Sequence, residues 1–285
     1  MIVESHAHLS HFRFDGRVRC ALPDGEGYTV KELDRQELFE KMAEQGIAFS
    51  IEPAIDLASN EKVLDLHRRY PDRVFCAVGV HPTRTFKEKW RARRALEGYL
   101  SSPGVVAVGE TGLDFHMKGK KHRLCQTAWF LYQIRLAKKH RLPLILHVRQ
   151  ADDLALFLLR LFASGRLSGV VHCFSGTLRQ AKGYLALGFH LGIGGALLKE
   201  GSALAETVKE LPLERLLTET DSPYVLPEKE VYFQGKRVKE PRNTPLLLPR
   251  IVERISEIKG VTVSEAEQVT YENARRLFAI PEKGE

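Results

Sequence analysis

Cysteine is scarce in this sequence, and its four cysteines lie far apart. Cys20, Cys76, Cys125 and Cys173 form no CxxC pair. A disulfide framework is therefore not expected, and a reducing compartment is predicted. No apolar run reaches the roughly 18 residues that a membrane-spanning helix needs, and residues 1–6 are typical of a strand rather than of a secretion signal. The sequence predicts a cytoplasmic protein that does not enter a membrane.

A GxGxxG fingerprint is also missing after the first predicted strand, which argues against a Rossmann-type fold. The sequence instead alternates short apolar, β-branched runs with longer amphipathic stretches. Near-continuous apolar strands are expected where both faces of a sheet are covered. The predicted strands lie at residues 2–5, 47–51, 74–80, 105–109, 144–148, 169–172, 189–193 and 216–219.

Helical periodicity fills most of the intervals between these strands. The predicted helices lie at residues 33–45, 121–140, 152–162, 178–187 and 202–211, followed by two closing helices at 246–258 and 264–278. Repeated β–α alternation favours a parallel sheet. About eight such units favour closure into an α/β fold of the TIM-like (β/α)8 barrel type, which takes roughly 250 residues.

Two stretches lack a clear period. Residues 11–29 are rich in Gly, Arg and Asp, and we predict an extended loop there, after the first strand and near the mouth of the barrel. Residues 223–245 are rich in Pro, Lys and Arg and are predicted to be irregular.

Positive charge exceeds negative charge in this chain. The formal net charge is +7, and basic residues gather at 84–94, 118–123 and 236–242. A basic surface favours polyanions such as nucleic acid. The alternative is that these runs are solvated helix and loop faces.

Histidines and carboxylates lie where the predicted strands end. His6 and His8 close the first strand two residues apart, so their side chains point to the same side. Other strands are followed by His81, Glu110, His147, His172 and Asp221. Barrel active sites lie at the C-terminal ends of the strands, and buried unpartnered imidazoles and carboxylates are costly. Nitrogen and oxygen ligands suit Zn, Mn, Fe or Mg, so a divalent-cation site is predicted.

Several short motifs carry a family resemblance. Residues 4–9 read ESHAHL, 79–82 GVHP, 109–114 GETGLD, 172–176 HCFSG, 219–224 ETDSPY and 273–274 NA. In this order, over nearly the whole chain, they resemble the TatD family of metal-dependent deoxyribonucleases, within the amidohydrolase-like barrels. The resemblance implies a single domain over residues 1–285, built as a metallo-dependent hydrolase barrel.

The resemblance also implies an activity and a ligand set. The expected activity is metal-dependent hydrolysis of phosphodiester bonds, foremost as a deoxyribonuclease that acts on DNA like a 3'-5' exonuclease. One metal ion is then held by His6, His8, Glu110 and Asp221, and the other by Glu110, His147 and His172. Mg, Mn and Zn are the candidate ions, and a water activated by the two metals is the expected nucleophile.

Individual side chains receive roles in the same way. Asp221 is the expected general base and Glu110 the metal bridge, while His81 is expected to bind the scissile phosphate or to protonate the leaving oxygen. Arg149 is a candidate phosphate contact, since a guanidinium pairs with phosphate through two hydrogen bonds. The alternative for Arg149 is a surface residue at a helix start. No obligate protein partner is implied.

The chain departs from the family's pattern at a few positions. Glu4 stands where the family usually has Asp, the usual His-Ser-Arg-Asp reads HVRQ at residues 147–150, and Thr244 replaces Glu in Arg-Asn-Glu-Pro. The ligand positions are all kept. The sequence therefore predicts a competent metal centre and leaves the natural substrate open.

Two other functions remain open for such a chain. One is a small-molecule amidohydrolase or esterase on the same barrel, because fold alone does not fix function. Many such relatives bridge their metals with a carboxylated lysine, whereas Glu110 takes that place here. The other is a non-catalytic nucleic-acid-binding relative, which has no need for an intact ligand set.

Overall fold

The computed structural model describes residues 1–25, 27–89, 92–116, 119–162, 167–227, 231–233 and 236–281. In these ranges the strands are β1 (Ile2–Glu4), β2 (Val18–Asp24), β3 (Gly27–Leu33), β4 (Ile47–Pro53), β5 (Val74–Val78), β6 (Val105–Asp114), β7 (Leu144–Arg149), β8 (Gly169–Val171), β9 (Phe189–Ile193), β10 (Leu216–Thr218), β11 (Tyr232–Phe233) and β12 (Lys236–Arg237). The helices are α1 (Arg35–Glu44), α2 (Leu57–Arg69), α3 (Arg93–Tyr99), α4 (Lys120–His140), α5 (Asp152–Phe162), α6 (Leu178–Ala186), α7 (Ala203–Glu210), α8 (Leu248–Lys259) and α9 (Val263–Phe278).

The central sheet has the strand order β1-β4-β5-β6-β7-β8-β9-β10. Its neighbouring strands are parallel, as the β–α alternation predicts. The two end strands also meet: the amide of Ser5 donates to the carbonyl of Thr218 over 2.9 Å, and the Thr218 hydroxyl donates to the carbonyl of Val3 over 2.8 Å. The sheet thereby curves into a nearly closed barrel, which confirms the predicted TIM-like fold.

The barrel strands are buried on both faces, which explains their continuous apolar sequence. In β7, Ile145 belongs to one buried cluster, whereas its neighbours Leu144 and Leu146 belong to another. The cluster with Ile145 also contains Val3 and, from α9, Phe278. Successive side chains of a strand point to opposite faces. One face therefore packs with α9 and the other with the surrounding helices.

Helix termini are fixed by local sequence. At α1, Asp34 accepts a hydrogen bond from the amide of Glu37, and the Glu37 side chain accepts one from the amide of Asp34. Thr177 and Gln180 form the same reciprocal cap at α6. These caps satisfy amides that have no partner inside the helix. Helix α8 ends at Gly260, whose φ of 66° favours glycine.

The predicted strands are all present, and the predicted helices differ from the observed ones by a few residues at their ends. Helices α2 and α3 were not predicted. Strand β6 continues to Asp114, so Glu110 lies within a strand and not after it. The pairing of β6 with β7 shifts register between Val108 and Thr111, next to Glu110.

The prediction of an extended loop at residues 11–29 is wrong. Strands β2 and β3 pair as an antiparallel hairpin there. The irregular stretch at 223–245 also contains a short antiparallel pair, β11 with β12. Backbone hydrogen bonds join the first hairpin to the second stretch, between Ala21 and Arg242 and between Arg242 and Arg19. Neither strand of the hairpin alternates between buried and exposed residues, so the sequence carries no period-two signal there.

Two further expectations concern surfaces. Among the described helices, none combines the length and the apolarity that crossing a membrane requires. The predicted basic runs are described only in part, because they include Trp90, Arg91 and Lys118, which lie outside the described residues.

Candidate metal centre

Glu110 is the centre of a buried cluster of imidazoles and carboxylates. Its Oε2 faces the two histidines that follow β1, at 3.6 Å from His6 Nε2 and 3.7 Å from His8 Nε2. Asp221 lies on the same side, with Oδ1 at 3.7 Å from His6 Nε2 and 3.5 Å from His8 Nε2. The two imidazole nitrogens are 3.4 Å apart. They therefore aim at one point between the two carboxylates.

The other carboxylate oxygen of Glu110 faces a second group of imidazoles. Oε1 lies 2.8 Å from His172 Nε2, 3.1 Å from His147 Nδ1 and 3.2 Å from His81 Nε2. The other nitrogen of the His81 ring, Nδ1, forms a hydrogen bond with the Thr83 hydroxyl, which lies 2.6 Å away. Glu110 thus joins two separate groups of nitrogen donors through its two oxygens.

Buried carboxylates orient the backbone that carries the first two histidines. Glu4 accepts hydrogen bonds from the amides of His6 and Thr220, at 3.1 and 3.0 Å, and from the Thr220 hydroxyl at 2.6 Å. It therefore links the end of β1 to the segment that carries Asp221. The longer side chain in place of the family's usual Asp still reaches these donors.

The outer edge of the His8 ring is also fixed. His8 Nδ1 donates to the carbonyl of Pro53 over 3.2 Å, and because a carbonyl only accepts, the lone pair of this ring stays on Nε2, facing the cluster. Glu52 accepts from the amides of Leu9 and Ser10, both at 2.8 Å. These contacts hold the segment that follows β1.

Strained backbone is concentrated at this mouth. Asp221, Cys173, Gln150 and Val225 all have left-handed φ values, of 54°, 48°, 55° and 52°. This region is unfavourable for residues other than glycine, most of all for a β-branched one such as Val225. Such residues persist where the surrounding structure holds them, commonly at functional sites. Here they follow β7, β8 and β10 and turn the site residues inward.

The charges of the cluster follow from burial and from the neighbouring rings. Burial acts against a charge on Glu110, but His81 and the other imidazoles around it hold the pKa of its carboxyl well below the usual range. Burial likewise opposes ionisation of Asp221, and the hydrogen bond from His8 with nearby imidazoles lowers its pKa. Burial lowers the pKa of His6. Hydrogen bonds and charge from the carboxylates raise the pKa of His8, His147 and His172 against the effect of burial. Ionised carboxylates among imidazoles are suitable ligands for a divalent cation.

The donor atoms are close enough to hold metal ions. Among the described residues, three groups have donor atoms within 4.8 Å of one another: His6, His8 and Asp221; His81, Glu110 and His147; and His6, His172 and Glu219. Imidazole nitrogens with carboxylate oxygens are ligands that divalent cations prefer in proteins. The residues present therefore fit the predicted kind of site.

Two acidic side chains that the sequence did not single out support this cluster. Asp114 Oδ2 lies 3.2 Å from His147 Nε2. Glu219 Oε1 lies 3.7 Å from His172 Nδ1 and accepts a hydrogen bond from the amide of Cys173. Asp114 belongs to the GETGLD motif and Glu219 to ETDSPY. Their places in these two motifs were the feature of the sequence that could have indicated a role for Asp114 and Glu219.

The cluster opens into a cleft of about 830 Å³. Its walls include Arg149, Arg84, Lys87 and Tyr224. The predicted phosphate contact Arg149 is thus brought to the site, as an exposed residue at the end of β7. Two cations from the run at 84–94 join it. The cleft combines a buried anionic floor with a cationic wall.

The barrel and its imidazole–carboxylate cluster define a class, the metal-dependent hydrolases with a TIM-like barrel. Within this class, the chain belongs to the family described as TatD related DNase, whose model matches residues 3–279. The family confirms the expectation of a metal-dependent hydrolase that acts on ester bonds and uses divalent metal.

Curated relatives and solved structures agree with this assignment. The chain is 30% identical over 281 residues to the uncharacterized metal-dependent hydrolase YabD of Bacillus subtilis (strain 168), covering 98% of this chain and 100% of that one. It is 35% identical over 249 residues to the 3'-5' ssDNA/RNA exonuclease TatD of Edwardsiella piscicida, covering 87% and 94%. The crystal structure of YJJV, a TatD homolog from Escherichia coli K12, matches with a TM-score of 0.83 at 29% identity, over 98% of both chains.

Proposed function

We propose that this protein is a 3'-5' exonuclease of single-stranded nucleic acid, foremost DNA, that works with two divalent metal ions. The observation that carries the proposal is the division at Glu110, whose Oε2 faces His6 and His8 while Oε1 faces His147 and His172. A carboxylate that faces two donor groups is suited to bridge two cations. Curated relatives named as 3'-5' ssDNA/RNA exonucleases support the substrate class.

The proposed ligands follow from the same division. His6, His8, Glu110 and Asp221 would hold one ion, and Glu110, His147 and His172 the other, with Mg, Mn or Zn as candidates. When bound, such ions supply Lewis-acid activation of water and stabilise charge on the phosphate oxygens.

The side chains of the chain perform the remaining steps. Asp221 carries an ionised carboxylate at the mouth of the cluster and is suited to accept the proton of the attacking water. His81 lines the cleft with Nε2 facing the cluster and is suited to bind the scissile phosphate or to protonate the leaving oxygen. Arg149, at the cleft wall, would hold a phosphate oxygen.

The charge of the cleft supports a nucleic acid substrate, and the cysteines support a location in the cytoplasm. Arg84, Lys87 and Arg149 give the wall positive charge, which a nucleic acid backbone requires and a small neutral substrate does not. All four cysteines are free, as expected for a protein of the reducing cytoplasm. We propose no obligate protein partner.

The experiment is hydrolysis of a labelled single-stranded oligodeoxynucleotide by protein stripped of metal, with Mg, Mn or Zn then added back. Asp221→Ala and Glu110→Ala are tested beside the wild type, with Asp153→Ala as control, since Asp153 is an exposed residue on α5. We expect metal-dependent cleavage that both site variants lose and the control retains. A ladder that shortens from the 3' end supports the exonuclease.

Three other outcomes would contradict the proposal or favour an alternative function. If the protein takes up metal but leaves every oligonucleotide intact, the nuclease proposal is wrong. Hydrolysis of carboxylic esters or amides by the same sample would then favour the small-molecule hydrolase. Failure to take up metal would favour a binding protein without catalysis.

A further inference from the structure

A second cavity of about 180 Å³ opens beside the catalytic cleft. The two share His8, Ile55 and Arg84 in their walls, so they adjoin each other. The smaller cavity lies between the segment that follows β1 and the start of α2. Phe12 and Lys62 complete its outer wall. Of the proposed metal ligands and catalytic residues, only His8 lines this cavity.

Aromatic rings lead from the metal cluster to this cavity. The ring centroid of Tyr224 lies 5.8 Å from that of His8 and 5.8 Å from that of His11. His11 in turn lies 4.2 Å from Phe12, and the Tyr224 hydroxyl lies 3.3 Å from His11 Nε2. The Arg13 guanidinium lies over Tyr224, 5.3 Å from the ring centre.

The outermost ring is exposed. Phe12 has 64% of its surface accessible to solvent, although it adjoins a well-packed segment in which its neighbour Phe14 is buried. An exposed phenyl ring is unfavourable in water, whereas nucleobases stack on such rings whatever their sequence. The ring is therefore placed as a stacking surface.

Positive charge lies where a phosphate would follow the base. Lys62 is exposed at the cavity wall. Arg84 lies between the two cavities, with Nε 3.9 Å from Asp56 Oδ2. Asp56 is the carboxylate in the wall, and it is engaged as the N-cap of α2 through the amide of Ser59. The other charged side chains in the wall of the smaller cavity, Lys62 and Arg84, are cationic.

We propose that Phe12, His11 and Lys62 form a nucleotide subsite that holds the base and phosphate adjacent to the scissile phosphodiester. The proposal rests on the proposed nuclease function and names the part of the chain that grips a single strand. Stacking on the ring requires an unpaired base, so the subsite selects single strands over duplexes. It reads no base edge and therefore gives no sequence preference.

The test is binding of a fluorescent oligothymidylate with phosphorothioate linkages, which resist hydrolysis and keep their charge, to the metal-loaded full-length protein. Phe12→Ala should weaken binding about tenfold, the loss of one stacked base. Phe157→Ala is the matched control, because Phe157 is 55% exposed on α5 and lines neither cavity. Phe12→Trp keeps an aromatic surface and should retain the wild-type affinity.

The salt dependence tests the cation. Lys62→Ala should reduce the slope of log affinity against log salt by about 0.7, the value for one phosphate contact on a single strand. Lys182→Ala, an exposed lysine of α6, should leave the slope unchanged. An abasic oligonucleotide should bind wild type and Phe12→Ala equally.

Each result decides one proposal. Equal affinities for wild type and Phe12→Ala, or no binding by wild type, overturn the subsite, while cleavage of the unmodified oligonucleotide still supports the nuclease. Binding that depends on Phe12, without cleavage of the unmodified oligonucleotide by any added metal, supports the subsite and overturns the nuclease proposal.

Discussion

Asp114 holds the outer edge of the His147 ring, with its Oδ2 3.2 Å from His147 Nε2. The other nitrogen of this ring faces Glu110 at 3.1 Å. A carboxylate behind a metal-binding histidine fixes the tautomer of the ring, its orientation and its basicity. Asp114 therefore acts on the centre through His147.

Asp114→Asn is expected to weaken metal binding about 10- to 100-fold, because an amide fixes the ring less well than a carboxylate. Titration of metal-stripped protein by calorimetry measures this. Asp65→Asn, which changes an exposed carboxylate on α2, is the control. An unchanged metal affinity in Asp114→Asn contradicts a positioning role.

Two arginines of the basic run at 84–94 have different surroundings. Arg84 lines the cleft, whereas the Arg93 guanidinium lies 4.3 Å from the ring centre of Tyr132, and burial lowers the pKa of Arg93 to about 10. Arg84→Ala should reduce the salt slope of oligonucleotide binding by about 0.7. Arg93→Ala should leave that slope unchanged and lower the free energy of unfolding by about 1–2 kcal/mol. Equal effects of both substitutions on the slope would refute this distinction.

Gln133 is a buried polar residue of α4 that joins the segment after β5 to β6. It accepts from the amide of Val80 over 2.8 Å, and it donates to the carbonyl of Val80 and to the hydroxyl of Thr111. Gln133→Ala leaves these groups unpaired and should lower the free energy of unfolding by about 2–4 kcal/mol in urea titrations. Gln268→Ala, at an exposed position of α9, is expected to change it little.

His190 makes stability sensitive to acid. Burial, with Arg215 and Arg276 nearby, lowers its pKa from 6.5 to about 4. The unfolded chain therefore binds a proton that the folded protein does not, and stability falls as pH falls from about 6.5 to 4. We expect a loss of about 1–3 kcal/mol between pH 7 and pH 4.5, measured in urea with chelator present. His190→Gln should remove this part of the loss and the exposed His116→Gln should not.

Much of the barrel could be predicted from sequence because each strand is a short apolar run flanked by polar residues. The meeting of the histidines and carboxylates at one end of the barrel could be predicted too, since most of these residues follow those runs. Helix α2 was missed because its sequence is mostly polar and its cap pairs Asp56 with Ser59 instead of an acidic residue. The row of Tyr224, His11 and Phe12 joins residues more than two hundred positions apart, such as the pair His11 and Tyr224. Periodicity carries no information about such contacts.

The join between the first and last barrel strands has a consequence for how the protein is made. Glu4 is synthesised 216 residues before its partner Thr220 and 217 residues before the neighbouring Asp221. During translation His6 and His8 therefore lack their opposing carboxylate until Asp221 has been added to the chain and has left the ribosome. A prematurely terminated chain that ends before this point has no complete centre, so we expect hydrolytic activity only from molecules whose synthesis has passed it.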